Sequence, residues 1–516
     1  MSSSQNISRR EFLKASAASV GLVGLGVPAA HGASQTVKTG GVLRYAHNTD
    51  ILNFDPTQLP AGNFAMLYTV YDTLIRFDEK YKATPQLAES WEFAEGGKRL
   101  AMKLRKGVTF HTGREFTADD VVFTLQHFQD KEVAANLRPM SLYIKDAKAD
   151  DKHTVSFSME KPNAAILDFL DSMFIVDKET VKDVKTKGVG TGPFKLVRWI
   201  PGDRVIWQKN KNYWKEGKPY LDGVEMLAIP DYSALSINVE AGAIDVAERL
   251  APSDLKRLKG NPGLEVLITA FGNQWNDILF NTTRPPFDNP KVRAAVDLAI
   301  GRERFAQIYF AGFSRGACLA FPEYSPGYFE DQAKRCEFDL NKAKKLLNEA
   351  GISSLDVTMT VSAPGYYPGS DVLAQVMNAD LRKIGVNLKI ENLPQAQARP
   401  KILVSRDYQL AGHIYGRANK DPVTMFAGAV AWLANCEQNV TGYCSDRFKR
   451  LVDEAATTLE PEKRRGIFRE INELLLTEKF TLAIAPNFMG FVKRKNVHGF
   501  AVNLDGFCIL EETWLS

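Results

Sequence analysis

Residues 104–121 read LRKGVTFHTGREFTADDV, the end of a strand followed at once by a turn and the start of a helix. Thr117 suits a helix N-cap, and Asp119 and Asp120 fall in the first turn, where the helix dipole favours negative charge. The helix face that follows is apolar at helical spacing: Val121, Val122, Leu125 and Phe128. Alternating segments on both sides predict strands at 90–93, 100–104 and 154–158. The pattern predicts an α+β texture with twisted sheets in this part of the chain.

Helices and strands also alternate outside this stretch. A strand is predicted at 42–46, and apolar steps at Met66, Leu67, Val70 and Leu74 predict a helix from about Asn63. Asn289 and Pro290 suit the cap and first position of a helix. Asp339 and Gly351 bracket another helix. The remaining predicted elements are helices near 447–459 and 462–477 and a strand at 481–488.

The N-terminal segment has the pattern of an export signal. Residues 8–14 read SRREFLK and precede a run of small and apolar residues from Ala15 to Ala30. This pattern is typical of a twin-arginine signal, which directs folded cargo out of the bacterial cytoplasm. The run is shorter than the ~20 apolar residues that a membrane-spanning helix needs. We therefore expect cleavage between Ala29 and Ala33 and a periplasmic mature protein.

Length and charge narrow the function classes. Without residues 1–33 roughly 480 residues remain, enough for two or three lobes and a cleft between them. The formal net charge of +4 falls to about +2 once the charged signal residues are removed. Because no long basic or acidic run occurs, nucleic acid and anionic membranes are not expected as partners. No segment after residue 33 is predicted to span a membrane.

Five cysteines follow the signal. In an oxidising compartment, sequence proximity pairs Cys318 with Cys336 and Cys436 with Cys444, and leaves Cys508 single. Twin-arginine cargo folds in a reducing cytoplasm, so the two disulfides are expected to close after folding, as local staples.

The sequence lacks a catalytic constellation. The seven histidines are scattered, and neither a His-Glu-x-x-His nor a Cys-x-x-Cys motif occurs. The glycines at 188, 190 and 192 lack the Lys-Ser/Thr that completes a phosphate-binding loop and precede a predicted strand, which indicates a turn. We therefore expect no enzymatic activity, no cofactor and no metal.

Aromatic residues stand in predicted loops beside glycine and proline. Such positions favour a cleft that binds an organic solute, because aromatic faces dominate the walls of these sites. The alternative, that these rings cover the ends of sheets, stays open for each residue. The residues concerned are Trp275, Tyr366, Tyr367, Tyr415 and Trp432.

Ordered motifs along the chain resemble one protein family. They are AESWE (88–92), LRKGVTFHTG (104–113), FTADDV (116–121), GTGPF (190–194), NYW (212–214), FN (280–281), PFDNPKVRAA (286–295) and AKKLLNEAG (343–351). In this order they strongly resemble the family 5 periplasmic solute-binding proteins, the dipeptide-, oligopeptide- and nickel-binding components of ABC importers. The resemblance covers essentially the whole mature chain.

The resemblance implies an α/β, two-lobed periplasmic-binding-protein fold (class II, cluster C type) with an extra subdomain in lobe I. It implies that lobe II is inserted into lobe I, with chain crossings near Phe271 and Asn487. The expected division is a signal at 1–33, lobe I at 34–270 with the extra subdomain at about 78–185, lobe II at 271–487, and a C-terminal return to lobe I at 488–516.

The resemblance also implies a solute site between the lobes. Its stretches correspond to the loop after the first strand, the crossing, the loop near 363–368, and the segment from Tyr415 onward. The site residues expected from the resemblance and from the loop aromatics are Asn48, Thr49, Asp50, Ile51, Trp275, Asn276, Tyr366, Tyr367, Tyr415, Arg417, Asp421 and Trp432.

Two departures from the family pattern bear on the solute. The segment that carries a carboxylate-binding arginine in dipeptide-binding members has no arginine here, and only Asp421 and Tyr415 remain of the amine-binding stretch. These departures argue against a free dipeptide. Arg417 is an arginine that the matching stretch of those members lacks, and it could pair with an anionic solute. The alternatives are that Arg417 is an exposed loop residue or pairs with Asp421. Asp421, which precedes a proline, could itself serve to form a turn.

The expected function is capture of a small organic solute, such as a peptide or opine, by a monomer that delivers it to an ABC permease in the inner membrane. Binding would shift an equilibrium between open and closed shapes. The alternatives are an exported enzyme, or a binding-only chaperone or chemoreceptor on the same scaffold.

Overall fold

The computed structural model describes residues 36–58, 63, 65–363, 367–415 and 420–516, without the side chains of residues 270–273 and 415. The predicted signal at residues 1–33 lies outside this description. Residues Lys38–Ser516 form one compact unit.

Among the described residues, strands are more numerous than helices. They are β1 (Val42–His47), β2 (Ile75–Phe77), β3 (Ala83–Pro85), β4 (Ala88–Ala94), β5 (Arg99–Leu104), β6 (Asp146–Asp151), β7 (Thr154–Ser158), β8 (Phe194–Ile200), β9 (Arg204–Lys209), β10 (Gly223–Ala228), β11 (Val246–Glu248), β12 (Leu264–Phe280), β13 (Leu355–Val361), β14 (Val386–Asn392), β15 (Leu410–Tyr415), β16 (Thr481–Arg494), β17 (Val497–His498), β18 (Ala501–Val502), β19 (Cys508–Ile509) and β20 (Trp514–Leu515).

The helices lie mainly in the second half of the chain. They are α1 (Leu67–Val70), α2 (Ala118–Gln129), α3 (Arg138–Ser141), α4 (Ile166–Ser172), α5 (Val184–Lys187), α6 (Tyr232–Ala241), α7 (Pro252–Leu258), α8 (Pro290–Leu298), α9 (Arg302–Tyr309), α10 (Glu330–Ala333), α11 (Leu340–Glu349), α12 (Ser370–Leu381), α13 (Gln395–Leu403), α14 (Pro422–Gly428), α15 (Asp446–Thr457) and α16 (Pro461–Glu478). Short 3-10 turns lie at Glu95–Gly97, Val181–Asp183 and Arg382–Ile384.

A ten-stranded sheet runs through the described unit in the order β14-β13-β15-β12-β16-β11-β1-β10-β9-β8. Its two long central strands, β12 and β16, pair antiparallel from Leu264 opposite Arg494 to Leu279 opposite Thr481. The register shifts between Ala270 and Trp275, so four residues of β12 stand opposite a single residue of β16, Asn487. This irregularity marks the midpoint of the two strands.

Parallel strands that flank the central pair β12 and β16 on either edge run toward that midpoint. β1, β10 and β11 are parallel to one another, and β11 ends beside Gly490 of β16. β13, β14 and β15 are also parallel, and β15 ends with Tyr415 opposite Trp275. Ligands of open α/β sheets bind outside the carboxyl ends of the strands, so this topology brings two sets of loops to one place.

The hydrophobic cores fall on either side of the midpoint. Phe280 and Ile484 belong to a core with helices α8, α9 and α12, and Leu279 belongs to a second core with α14–α16. Phe491 and Val492, farther along β16, belong instead to two cores built on β1, β10 and helices α6 and α7. The fold is therefore a two-lobed α/β architecture; we call the side of β1 lobe I and the side of β13 lobe II.

A separate four-stranded antiparallel sheet, β4-β5-β7-β6, lies within the first half of the chain. Together with α2 and α4 it encloses its own core, which includes Phe110, Phe157 and Phe169. Thr117 and Asp120 form the capping box of α2, with the Thr117 backbone N–H donating to the Asp120 carboxylate at 3.0 Å. The N-cap prediction at this position is confirmed.

The helix predicted from Asn63 is shorter than its apolar pattern suggested: among the residues that the structure describes in this stretch, the α-helix covers Leu67–Val70. Tyr71 is already extended, and the Val70 carbonyl accepts a hydrogen bond from the Gly192 backbone N–H at 2.9 Å. A Cβ on Gly190 would lie 2.1 Å from the same carbonyl oxygen. The glycine-rich stretch therefore forms a turn against the end of α1, as predicted, and this contact leaves no room for a Cβ at Gly190.

The strand predicted at 481–488 is longer than expected and continues to Arg494. The predicted helices at 447–459 and 462–477 correspond to α15 and α16 within two residues. Among the described residues, no helix combines the length and apolar character needed to cross a bilayer.

Candidate functional site

A cavity of about 980 Å³ lies at the midpoint of β12 and β16. Trp275 comes from β12, and Pro486 and Asn487 come from β16. Most of the remaining wall comes from the segment 312–334, between α9 and α11, which contributes Phe313, Phe321 and Tyr324; Ile268, Thr269 and Phe488 complete the lining. The position between two sets of strand ends and the aromatic lining are those of a binding site for an organic molecule.

The wall segment carries paired charges. Arg315 forms an ion pair with Glu323, and Lys334 lies 2.6 Å from Glu330. All four side chains are exposed by more than half, so each pair contributes little to stability. Because the charges balance, this wall offers no net charge to a solute.

A disulfide closes the wall segment. Cys318 and Cys336 are bonded and bracket most of its cavity-lining residues, and Cys436 and Cys444 form the second disulfide. Both pairings predicted from sequence proximity are present. Cys508 is a buried free cysteine within hydrogen-bond distance of the Tyr45 hydroxyl, at 3.1 Å.

Trp275 and Asn276 lie at the register shift of β12. Trp275 is only 3% exposed and lines the cavity. Asn276 is buried and donates from Nδ2 to Oδ1 of Asn487 at 2.9 Å; Asn487 in turn donates to Gln274 at 3.0 Å. These amide contacts join the two central strands where their backbone pairing is interrupted.

Tyr367 and Trp432 are connected in lobe II by a buried network that includes Asp277 and His413. The Trp432 indole N–H donates to Asp277 at 3.1 Å, and the other oxygen of Asp277 lies 3.0 Å from Nδ1 of His413. The His413 ring packs against Tyr367 with 4.9 Å between ring centres. Both Tyr367 and Trp432 are almost fully buried, which favours the alternative that these two rings cover the sheet.

The loop after β1 lies in lobe I and is tied to its neighbours. Asn48 donates to the Tyr232 hydroxyl at 2.8 Å, and Asp50 accepts from the Gly202 backbone N–H at 2.7 Å. The Thr49 hydroxyl lies 3.4 Å from Nδ1 of His47, and Ile51 belongs to the lobe I core. None of the four lines the cavity described above.

Asp421 is engaged inside the protein. Arg464 donates to both of its carboxylate oxygens, at 2.6 and 2.7 Å, and Asp421 also caps α14 by accepting from the Val423 N–H at 3.0 Å. Its side chain is 2% exposed. This arrangement favours the structural alternative for Asp421 over a direct contact with solute.

A buried charge cluster adjoins this position. The Lys420 ammonium lies 3.4 Å from Asp168, 2.7 Å from Asp171 and 2.6 Å from Asp505, and all four side chains are inaccessible to solvent. Asp168 also accepts the backbone N–H groups of Lys420 and Asp421 at 3.0 and 3.1 Å. We call these four residues the Lys420 cluster.

Burial dominates the titration of the Lys420 cluster. It raises the pKa of Asp168 to about 7 and also raises the pKa of Asp505, while the nearby Lys420 charge opposes both shifts. The attraction of the three carboxylates raises the pKa of Lys420 in spite of its own burial. Lys420 therefore stays charged, and three carboxyl groups share its one ammonium group.

The Lys420 cluster was not predicted from the sequence, because its members come from distant parts of the chain. One signal was available: Asp168 and Asp171 are spaced by one helical turn, with Phe169 and Leu170 between them. Two carboxylates within an apolar helix predict a buried cation, although not its identity.

The structure does not describe the side chains of three predicted site residues. Tyr366 and Arg417 lie outside the described residues, and Tyr415 is described only by its backbone, at the end of β15. Within the described part of the chain, no group of three or more His, Cys, Asp or Glu side chains is suited to hold a metal ion.

Comparison with known proteins gives one family. Residues 82–432 match the family model described as bacterial extracellular solute-binding proteins, family 5 Middle. Di/tripeptide-binding protein 1 of Pseudomonas aeruginosa (strain UCBPP-PA14) is 28% identical over 491 residues, which cover 87% of this chain and 90% of that protein.

Solved structures are similar over nearly the whole chain. The periplasmic binding protein DppA from Helicobacter pylori, in complex with the peptide STSA, is 26% identical with a TM-score of 0.75 and covers 93% of this chain and 98% of its own. HbpA2 from Haemophilus parasuis is 25% identical with a TM-score of 0.82 and covers 92% of this chain and 100% of its own.

Proposed function

This chain belongs to the family 5 bacterial extracellular solute-binding proteins, and from that membership we propose that it captures a peptide-like solute in the cavity beside Trp275 for import by an ABC permease. The observation that carries the proposal is the position of this cavity. It lies at the midpoint of the two strands shared by both lobes, where the carboxyl ends of two sets of parallel strands converge.

In this proposal the polypeptide passes from one lobe to the other at the same midpoint. We propose crossings near Phe271 and Asn487, which divide the protein into lobe I at 34–270, lobe II at 271–487 and a return to lobe I at 488–516. The register shift between Ala270 and Trp275 supports these boundaries. The separate sheet β4-β5-β7-β6 supports an extra subdomain at about 78–185.

Export and assembly complete the proposal. The paired Arg9 and Arg10, followed by a short apolar run, support twin-arginine export to the periplasm. There the protein acts as a monomer that presents its solute-loaded form to the permease in the inner membrane. Its role is binding without chemical conversion of the solute.

The solute class is tested by calorimetric titration of the exported protein with dialanine, trialanine, tetraalanine and an opine. We expect heat of binding and a raised melting temperature with at least one peptide. Mass spectrometry under native conditions identifies any solute that co-purifies. Binding of the opine alone would replace the peptide class, and chemical conversion of a bound compound would overturn the binding-only role.

A further inference from the structure

Lys420 carries a buried charge of lobe II into contact with lobe I. It directly precedes α14, whose residues pack in a lobe II core. Its ammonium group forms an ion pair with Asp505, two residues from Phe507 of a lobe I core. The two lobes therefore meet at a buried ion pair as well as along β12 and β16.

The four-stranded sheet β4-β5-β7-β6 adds contacts to the same part of lobe II. Asp168 of α4, which packs with that sheet, accepts the backbone N–H groups of Lys420 and Asp421. The Ala164 backbone N–H donates to the carbonyl oxygen of Ala456 in α15 at 2.9 Å. Main-chain N–H groups of lobe II thus end on a carboxylate outside that lobe, and these bonds break if the lobe swings away.

Lobe II holds Lys420 and Asp421 in a fixed position. Arg464 of α16 binds both carboxylate oxygens of Asp421, which also caps α14. Because this frame belongs to lobe II alone, it moves with that lobe. A swing of lobe II would therefore separate the Lys420 ammonium from its three carboxylates together.

Separation of these charges is costly because they are buried. The side chains of Lys420, Asp168, Asp171 and Asp505 are inaccessible to solvent. Buried carboxylates that lose their cation keep neither a partner nor enough water to replace it. The attraction therefore favours contact between the lobes, and it arises from groups of the protein alone.

The same contact region reaches the wall of the cavity beside the central strands. Tyr324 lines that cavity and belongs to the wall segment that packs in a lobe II core. Its ring lies 6.4 Å, centre to centre, from the ring of Tyr81, which packs on the core of the four-stranded sheet. The Tyr81 hydroxyl donates to Asp421 at 3.4 Å. Opening the Lys420 cluster would therefore also move the cavity wall away from Tyr81.

We propose that Lys420 is a latch that holds the two lobes together beside the cavity before any solute binds. Solute enters and leaves only in those molecules in which Lys420 has left its three carboxylates. The inference goes beyond the proposed function, because it makes the closed shape the resting state of the free protein. Capture is then slowed by the opening step that precedes it.

Hydrogen exchange of the unmutated protein, without solute and at increasing urea below the unfolding transition, is the first test. The backbone N–H groups of Lys420 and Asp421 report on the latch, because both donate across the lobes. We expect these amides to exchange at least about 100-fold more slowly than in the unfolded chain, since exchange requires breaking a buried ion cluster. Their rates should hardly change with urea, because lobe opening exposes little surface.

The amides of β16 at 481–485 are the internal control. They lie in the central paired strands, so their exchange requires unfolding and should accelerate steeply with urea. A smaller protection of Lys420 and Asp421 than expected would overturn the latch. The same urea dependence in both groups of amides would also overturn it, because the cluster would then break only when the protein unfolds.

Nitroxide labels on Ile237→Cys and Ile308→Cys measure the separation of the lobes directly. Both residues are exposed, on α6 of lobe I and α9 of lobe II. We expect Lys420→Met to add a population with a longer distance between the labels than the unmutated protein shows. Lys334→Met, which removes an exposed ion pair with Glu330, should leave the distance unchanged. An unchanged distance in Lys420→Met would overturn the latch.

Peptide kinetics separate the latch from the proposed function. If the unmutated protein binds no peptide, the proposed peptide class fails, while the exchange and label measurements still decide on the latch because neither uses solute. If trialanine binds, we expect Lys420→Met to associate with it about 10-fold faster or more, since opening no longer limits entry. An unchanged association rate would show that solute enters without opening the latch and would overturn its role at the cavity.

Discussion

The ammonium group of Lys420 lies 2.6 Å from a carboxylate oxygen of Asp505, and both side chains are fully buried. Lys420 directly precedes α14 of lobe II, whereas Asp505 stands beside Phe507 of a lobe I core. Asp168 and Asp171 add contacts from α4, which packs with the four-stranded sheet β4-β5-β7-β6. One lysine thus joins three separately packed parts of the molecule.

Replacing Lys420 should strongly destabilise the protein. Lys420→Met leaves three buried carboxylates without their cation, and removing one partner of a buried ion pair typically costs about 3–5 kcal/mol. Urea unfolding measures this loss. The matched control is Lys334→Met, whose ion pair with Glu330 is exposed, so its loss should leave the stability almost unchanged. Equal stabilities for the two variants would contradict a structural role for the Lys420 cluster.

The Lys420 cluster should make stability depend on pH. The pKa of Asp168 rises from its ordinary 3.8 to about 7 in the folded protein, so between these values the folded state holds a proton that the unfolded state has released. The stabilisation is therefore complete below about pH 4 and is lost as the pH rises through about 7, with a total near 4 kcal/mol.

The variant Asp168→Asn isolates this effect. It cannot titrate, so the difference in unfolding free energy between it and the unmutated protein should change steadily between about pH 4.5 and about pH 7.5. Lys420, Asp171, Asp505 and Asp421 surround the group and remain in both proteins. A difference that is constant over this range would show that Asp168 does not carry the shifted pKa.

Opening the disulfide of the cavity wall should weaken solute binding. The double variant Cys318→Ser/Cys336→Ser frees a segment whose ends are 18 residues apart, and such a bond typically constrains the chain by about 3 kcal/mol. Calorimetry with a bound peptide should show lower affinity. Cys436→Ser/Cys444→Ser is the control, because the loop of residues 436–444 that this disulfide closes contributes no residue to the cavity lining. Equal affinities in both double variants would argue that the wall is held by packing alone.

Asp421→Asn distinguishes two roles of one carboxylate. Because Arg464 binds both of its oxygens in a buried position, we expect a loss of roughly 3 kcal/mol in stability. Affinity should change little once the measurement is made well below the melting temperature. A variant that keeps its stability but loses affinity would instead place Asp421 in contact with solute.

Local features were predictable from the sequence because their causes are local. Thr117, Asn289 and Asp339 all stand at helix N-caps, where a side-chain oxygen meets backbone N–H groups within the next three residues. The two disulfides followed from proximity along the chain. The α/β fold followed from ordered motifs that resemble a known family.

Features that depend on distant residues were not predictable. Asp168 lies 252 residues from Lys420, and Asp277 lies 155 residues from Trp432. No pattern in one sequence specifies such pairs, because they exist only once strands and helices have assembled. Trp432 does lie in a turn, as predicted, but its burial and its hydrogen bond to Asp277 of β12 depend on the assembled fold.

The paired strands β12 and β16 have a mechanical consequence. A two-stranded ribbon resists stretching and sliding, because either movement breaks a row of backbone hydrogen bonds at once, whereas bending or twisting costs little at a bulge. Any swing of one lobe against the other would therefore be confined to a few angular degrees of freedom about the register shift, and it would also have to break the buried Lys420 cluster that joins the lobes. Groups beside such a pivot move least when the angle changes, and groups farther out on the two lobes move most.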